Sequence, residues 1–175
     1  ESQKQKVAHK LKEIEKLALL LPAGQLDHDS VVDAVADVAR YDVAALSEAW
    51  LGGDAKRALR ILDVLRGEGE SPVLPVWQLS EDVHALALVQ GLVAQGVPAG
   101  NAVRQARVWG RRAMAMERAA QRIPKAVAPS LVIELARLDA LSKGLGSQDP
   151  WDELGAVALV LAGKPARPLV AQTPP

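Results

Sequence analysis

The feature that most constrains the fold is a long apolar segment that begins at Pro72 and ends at Gln95. Valine, leucine and alanine occur on every side of this segment when it is drawn as a helix, which makes it too apolar all round for a surface helix. Pro72 and Pro75 fall at its start, where a missing backbone N–H costs little, and Gly96 follows its end. The sequence therefore predicts a central buried helix that other elements must surround.

Helical periodicity continues along the rest of the chain. Apolar residues recur every three or four positions, and glycine and proline residues separate the periodic stretches. Only 3% of the residues are aromatic and none is Phe, whereas the helix formers Ala, Leu, Arg, Glu and Lys are abundant. The predicted fold class is therefore all-α. The remaining predicted helices cover residues 3–21, 30–40, 42–50, 54–66, 99–108, 109–122, 131–143 and 150–162.

Two aspartates mark the starts of predicted helices. Asp54 follows a Gly-Gly pair and can accept a hydrogen bond from the first turn of the next helix. Asp149 precedes Pro150 and a pair of acidic residues, a combination that suits the positive end of a helix. At the other end of the 54–66 helix, Gly67 together with Gly69 is predicted to stop it.

The composition excludes several classes of protein. The chain of 175 residues contains no Cys, so disulfides and thiolate metal sites are excluded. Its 21 basic and 21 acidic residues give a net charge of zero, which argues against a surface that binds nucleic acid or membranes as a whole. No apolar stretch reaches the length of about eighteen residues that a membrane span needs, and the amino-terminal positions carry charges unlike a signal peptide. We expect a soluble protein of the cytoplasm.

No motif of a known catalytic or cofactor site occurs in the sequence. The only Gly-Lys pair, Gly163-Lys164, is followed by Pro165, whereas a phosphate-binding loop needs Ser or Thr there. The three histidines are far apart and lack the spacing of zinc ligands on a helix. The sequence therefore predicts no catalytic residue, no cofactor site and no metal site.

A basic stretch lies between residues 104 and 125, where Glu117 is the one acidic residue. On a helix, Arg111, Arg118 and Arg122 share a face that can meet phosphate or the carboxylates of a partner. A plain solvent-exposed face explains the same pattern equally well, and Trp109 is the one aromatic residue among these charges. Both interpretations stay open at this point. The basic residues are Arg104, Arg107, Arg111, Arg112, Arg118, Arg122 and Lys125.

The order and spacing of several short stretches resemble a known family. They include GDAKRALRIL at 53–62, LRGEGE at 65–70, VW followed by RR at 108–112, and DPW at 149–151. Taken together over about residues 8 to 165, they resemble the C-terminal half of the delta subunit of bacterial DNA polymerase III clamp loaders. Residues 2–6 are polar where this family usually has apolar residues, which suggests an altered or trimmed amino terminus.

The resemblance implies a domain organisation. Residues 1–45 correspond to the end of a helical lid domain, residues 46–163 to a helical-bundle collar domain, and residues 164–175 to a Pro-rich flexible tail. The helical pattern that starts at Glu1 agrees with a fragment that begins inside a helix. The clamp-opening N-terminal domain of the family is absent from this sequence, and delta subunits lack a working nucleotide site. The resemblance thus implies a non-catalytic scaffold within a DNA-directed DNA polymerase complex.

The resemblance also implies partners. The collar would contact the ATPase-type gamma/tau and delta-prime subunits, the sliding clamp would be reached only through the missing N-terminal domain, and DNA would pass near the collar. Because Arg and Trp are enriched where interfaces gain most of their binding energy, they are the candidate contact residues. The alternative function is an all-α nucleic-acid-binding module that uses the basic residues 104–125. The candidate subunit-interface residues are Trp109, Arg111, Arg112, Arg118 and Trp151.

Overall fold

Residues 43–164 are described by the computed structural model, and within this range the chain forms helices and no strand. The all-α prediction is therefore confirmed. The predicted helices at 3–21 and 30–40 and the predicted tail beyond residue 164 lie outside the described residues. The seven helices of the described range are α1 (43–52), α2 (Ala55–Glu68), α3 (Val73–Ala94), α4 (Ala99–Gln105), α5 (Arg111–Arg122), α6 (Val127–Ser142) and α7 (Pro150–Leu161).

All described residues belong to one unit, which begins at Val43. Its core contains side chains from each of the seven helices. α2 packs on α7, α7 packs on α6, and α4 packs on α5. The domain boundary predicted between residues 45 and 46 stays a prediction.

α3 lies at the centre of this unit, as its apolar sequence predicts. It packs against α6, α4 and α5, and the side chains of Leu79, Val83 and Leu86 are fully buried. One stripe of α3 is nevertheless exposed, since Trp77 is 56% exposed and Leu88 is 49% exposed. The prediction of burial on all sides is wrong for this stripe, because the helices that pack on α3 cover its other sides.

The helix starts follow the local sequence. Asp54 accepts a hydrogen bond from the backbone N–H of Arg57 at 2.9 Å, and Asp149 accepts one from Trp151 at 2.8 Å. These contacts satisfy backbone donors that a helix leaves free in its first turn. Both predicted helix caps are confirmed. α2 continues through Gly67 to Glu68, and Gly69 caps it with a φ of 78°, in the left-handed region that favours glycine.

α5 begins later than its sequence pattern predicts. The pattern favours a helix from residue 109, whereas the structure begins α5 at Arg111. Arg107 has a φ of 55° and Gly110 has a φ of 64°, so both interrupt a right-handed helix. Val108, between them, is buried, and its backbone N–H donates to the carbonyl of Val103 at 3.2 Å. The burial of Val108 in the core therefore explains why α5 does not begin at residue 109.

The guanidinium of Arg122 connects the carboxyl ends of three helices. It donates to the carbonyl oxygens of Trp50 at 3.3 Å, Leu51 at 3.2 Å and Leu161 at 2.6 Å. A cation suits this place because the carboxyl end of a helix carries free carbonyls and partial negative charge. Gly163 makes room for the contact, since a Cβ at this glycine would lie 3.2 Å from Arg122 Nε.

Replacing Arg122 by Ala should lower the free energy of unfolding by about 2 kcal/mol, because hydrogen bonds from a charged donor to three carbonyls are lost. Urea denaturation followed by circular dichroism measures this change. Arg118→Ala is the matched control on the same helix, and its exposed side chain should give a change within about 0.5 kcal/mol. Equal losses in the two variants would contradict the proposed link between α1, α5 and α7.

Candidate subunit-contact surface

The structure places four of the five candidate interface residues on or next to α5. Trp109 is 64% exposed, Arg111 and Arg118 are exposed, and Arg112 is partly buried. Trp151 is partly buried at the start of α7, a helix that packs on α2 and α6. The candidates therefore form one group at α5 and one separate residue at α7. Whether they contact another subunit stays a prediction.

A turn between α4 and α5 presents Trp109 to solvent. Val108, which is 2% exposed, anchors this turn in the core. Arg107 and Gly110, on either side of Val108 and Trp109, both have a positive φ. Because L side chains rarely adopt a positive φ, the conformation at Arg107 persists only where neighbouring contacts hold it. The indole of Trp109 is thus displayed on an anchored turn.

Asp82 is an acidic residue that lies wholly inside the helix bundle. Its Oδ2 accepts hydrogen bonds from Ser47 Oγ at 2.5 Å and from Trp50 Nε1 at 2.8 Å. Its Oδ1 accepts from Gln78 Nε2 at 3.2 Å and from Arg112 Nη2 at 2.5 Å. These four donors replace part of the hydration that the carboxylate loses on burial. The network joins α1, α3 and α5 at a single side chain.

Burial raises the pKa of Asp82, and this desolvation outweighs the opposing effects of the Arg112 charge and of the hydrogen bonds from Ser47 and Trp50. The Arg112 side chain is 30% exposed, and its Nε atom has no hydrogen-bond partner. Arg112 therefore faces inward and places the first turn of α5 against α3. The structure gives this predicted contact residue an internal role.

The internal contacts divide the basic stretch into inward and outward members. Arg112 binds Asp82, and Arg122 binds carbonyl oxygens at helix ends. Burial, together with the nearby charge of Arg118, lowers the pKa of Arg122. Arg104 hydrogen-bonds the amide oxygen of Asn101, a neutral group that leaves its charge uncompensated. The exposed charges are therefore fewer than the sequence suggests.

Trp151 lies beside a groove between α2 and α7. The groove has a volume of about 320 Å³ and is lined by Trp151 and Leu59 among other residues. Arg66 closes one side by pairing with Asp149 at 2.5 Å and Asp152 at 2.9 Å. This pairing joins the carboxyl end of α2 to the amino end of α7, where cation and anion each suit the helix dipole.

Within residues 43–164, no cluster of three or more His, Asp or Glu side chains has the arrangement of a metal site. No helix in the same range is long and apolar enough to cross a bilayer. His84 is exposed, and its Nδ1 lies 2.7 Å from the carbonyl oxygen of Ser80. This histidine belongs to the exposed side of α3.

The sequence model of one protein family matches residues 45–168, and this family is described as processivity clamp loader gamma complex DNA pol III C-term. The chain belongs to this family. DNA polymerase III subunit delta of Escherichia coli (strain K12) is 33% identical over 152 residues, which cover 87% of this chain and 44% of that protein. The chain thus spans less than half the length of this curated relative. The resemblance to the delta-subunit family is confirmed.

Two internal contacts of this clamp-loader family chain were not identified from its sequence. The signal for the first was a pair of acids, Glu81 and Asp82, in a mainly apolar helix, since a buried acid needs a hydrogen-bond donor. No comparable signal marks Arg122, because its acceptors are backbone carbonyls at helix ends that are distant in sequence. The basic stretch between residues 104 and 125 therefore contains both arginines with internal contacts and exposed arginines, which the sequence did not distinguish.

Replacing Asp82 by Ala should lower the free energy of unfolding by about 1–3 kcal/mol, because the buried donors of Ser47 and Trp50 lose their hydrogen-bond acceptor. Chemical denaturation at neutral pH measures the loss. Asp63→Ala is a suitable control, since Asp63 is an exposed aspartate on α2. A loss from Asp82→Ala no larger than that of this control would show that the network does not stabilise the fold.

Asp82 should also make stability depend on pH. Because its pKa is raised on folding, the unfolded chain releases the proton first as pH rises above the ordinary aspartate value of about 3.9. The contribution of Asp82 to stability therefore falls as pH rises from there to the folded pKa. Urea titrations at several pH values measure this effect. As pH rises through this window, the free energy of unfolding of the wild type should fall relative to that of Asp82→Asn. A constant difference would contradict the assignment.

Proposed function

We propose that this chain is the subunit-association part of a clamp-loader delta subunit, a non-catalytic scaffold in the complex that loads the sliding clamp on DNA during replication. The observation that carries the proposal is the family match over residues 45–168, which spans α2 to α7 and most of α1. The relative from E. coli carries the name DNA polymerase III subunit delta, and its similarity to 87% of this chain supports the same role.

In this proposal the described helices form a collar domain. Residues 1–45 complete a lid domain, residues 46–163 form the collar, and residues 164–175 are a tail. The partners are the ATPase-type gamma/tau and delta-prime subunits, reached through the collar. The sliding clamp is contacted by the N-terminal domain of the delta subunit. The complex acts in the cytoplasm, where the chromosome is replicated.

The chain itself is proposed to have no catalytic activity. Its tightest buried polar cluster, around Asp82, is occupied by hydrogen bonds within the protein and has a structural explanation. A nucleophile or base that serves a substrate needs to reach the reacting atom, whereas the carboxylate of Asp82 has no exposed surface. The best-formed polar site of the described range is thus a link between helices.

The alternative function, a nucleic-acid-binding module, is less well supported by the contacts. Affinity for nucleic acid comes largely from cations that are free to neutralise phosphates. Arg112 and Arg122 are engaged inside the protein, so the stretch between 104 and 125 has fewer free cations than its sequence indicates. DNA that passes near the collar stays compatible with the main proposal.

Size-exclusion chromatography with light scattering tests the proposal. The 175-residue chain mixed at micromolar concentration with gamma/tau-type and delta-prime subunits from a matching clamp loader should elute as a defined heteromer. The chain alone and the subunits without it are the controls. A chain that elutes separately while shifting labelled DNA at low salt would contradict the scaffold and favour the alternative.

A further inference from the structure

One face of α3 carries large apolar side chains that the other described helices leave exposed. Val73 is 41% exposed, Trp77 is 56% exposed and Leu88 is 49% exposed. Glu81 and His84 lie between Trp77 and Leu88 along the helix and are exposed as well. With about 3.6 residues per turn, these five positions fall within an arc of about 80°, so they form one surface. They are called the α3 stripe below.

The polar residues of the α3 stripe are available to a partner. Among the ion pairs of residues 43–164, none involves Glu81. His84 Nδ1 lies 2.7 Å from the carbonyl oxygen of Ser80, so this nitrogen carries a hydrogen and donates it. The other ring nitrogen, Nε2, donates when the imidazole is protonated, and a carboxylate is the acceptor that suits it. The stripe thus combines a carboxylate with a nitrogen that can donate to one.

The α3 stripe is complementary to itself when it is reversed. The midpoint between Glu81 and His84 along the chain is also the midpoint between Trp77 and Leu88. In two identical helices that pack antiparallel about a two-fold axis, residues equally far from the axis face each other. An axis at this midpoint would place the indole of each copy on the leucine of the other. It would also place each carboxylate beside an imidazole of the other copy.

The spacing of the stripe favours this antiparallel pairing over a parallel one. From Trp77 to Leu88 the exposed positions follow one another at intervals of four, three and four residues, which is the spacing of a coiled-coil seam. In a parallel pair the two Glu81 carboxylates would face each other and repel. Antiparallel packing about the shared midpoint removes this repulsion and pairs unlike groups instead.

We propose that a second copy of this chain packs antiparallel on the α3 stripe, with Trp77 of each copy against Leu88 of the other. A second copy suits the stripe better than nucleic acid does, because Glu81 would repel phosphates and the remaining exposed area is mainly apolar. The inference concerns the chain by itself and does not depend on the proposed function.

Sedimentation equilibrium of the 175-residue chain at pH 6, where histidine is partly protonated, tests the apolar contact. The wild type should show a monomer–dimer equilibrium. Trp77→Ala should raise the dissociation constant of the dimer by about a hundredfold and Leu88→Ala by about tenfold, because a two-fold axis makes each substitution count twice. Ile133→Ala is the matched control, since it truncates a 75% exposed side chain on α6, and it should change the constant by less than about twofold.

An exchange of charges tests the antiparallel register. Glu81→Lys places an ammonium opposite the imidazole of the other copy, and His84→Glu places two carboxylates together, so each single variant should weaken the dimer by about tenfold. The double variant, with both substitutions in one chain, should recover most of the lost affinity, because the exchanged charges again face each other across the axis. Circular dichroism and thermal unfolding check that every variant is folded.

The outcomes separate this inference from the proposed function. A wild-type chain that stays monomeric at near-millimolar concentration would overturn the inference, as would a dimer that tolerates both Trp77→Ala and Leu88→Ala. A double variant that fails to recover would overturn the antiparallel arrangement and the inference with it. If the stripe variants instead weaken binding to gamma/tau-type and delta-prime subunits while the wild type alone is monomeric, the stripe belongs to a contact with another subunit. In each case the proposed function stands or falls by the mixing experiment alone.

Discussion

The buried carboxylate of Asp82 is the interaction on which the arrangement of α1, α3 and α5 depends. A charge in an apolar interior is tolerated only when hydrogen-bond donors replace its water, and these donors come from Ser47, Trp50, Gln78 and Arg112. Three helices must therefore meet at one point with defined rotations. Apolar packing alone permits several rotations of a helix, whereas this polar network favours one.

The network around Asp82 also determines the position of residues at the protein surface. Arg112 is held against α3, so the start of α5 and the turn that precedes it have a defined position. Trp109 and Arg111 lie on either side of Gly110 and face solvent. Adjacent residues of one basic sequence thus have opposite roles, because a helix directs successive side chains to different sides. The inward arginine supports the display of its outward neighbours.

Arg122 illustrates the same division at the other end of α5. Its guanidinium donates to carbonyl oxygens at the carboxyl ends of α1 and α7, which lack the N–H donors of a following helical turn. Together with Arg112, it fixes both ends of α5 on the remaining helices. The basic residues at the two ends of this helix therefore stabilise the fold, whereas Arg111 and Arg118 are exposed.

Much of the fold was accessible from the sequence because it depends on local chemistry. The caps at Asp54 and Asp149 and the apolar periodicity of α2 and α7 involve residues within a few positions of each other. The exposed stripe at Trp77 and Leu88 was not accessible, since a helix with apolar residues on all sides carries no signal for the side that its neighbours leave open. The same limit applies to the late start of α5, which reflects the burial of Val108.

The sequence by itself determined that the chain is helical, where most helices begin, and which family the chain resembles. Only the tertiary structure decided which arginines are structural and which are exposed. Arg111 and Arg112 are identical in local propensity and charge, yet one faces solvent and the other binds Asp82 from a distant helix. The physical reason is that burial and ion pairing are set by contacts between elements far apart along the chain, which local periodicity does not encode.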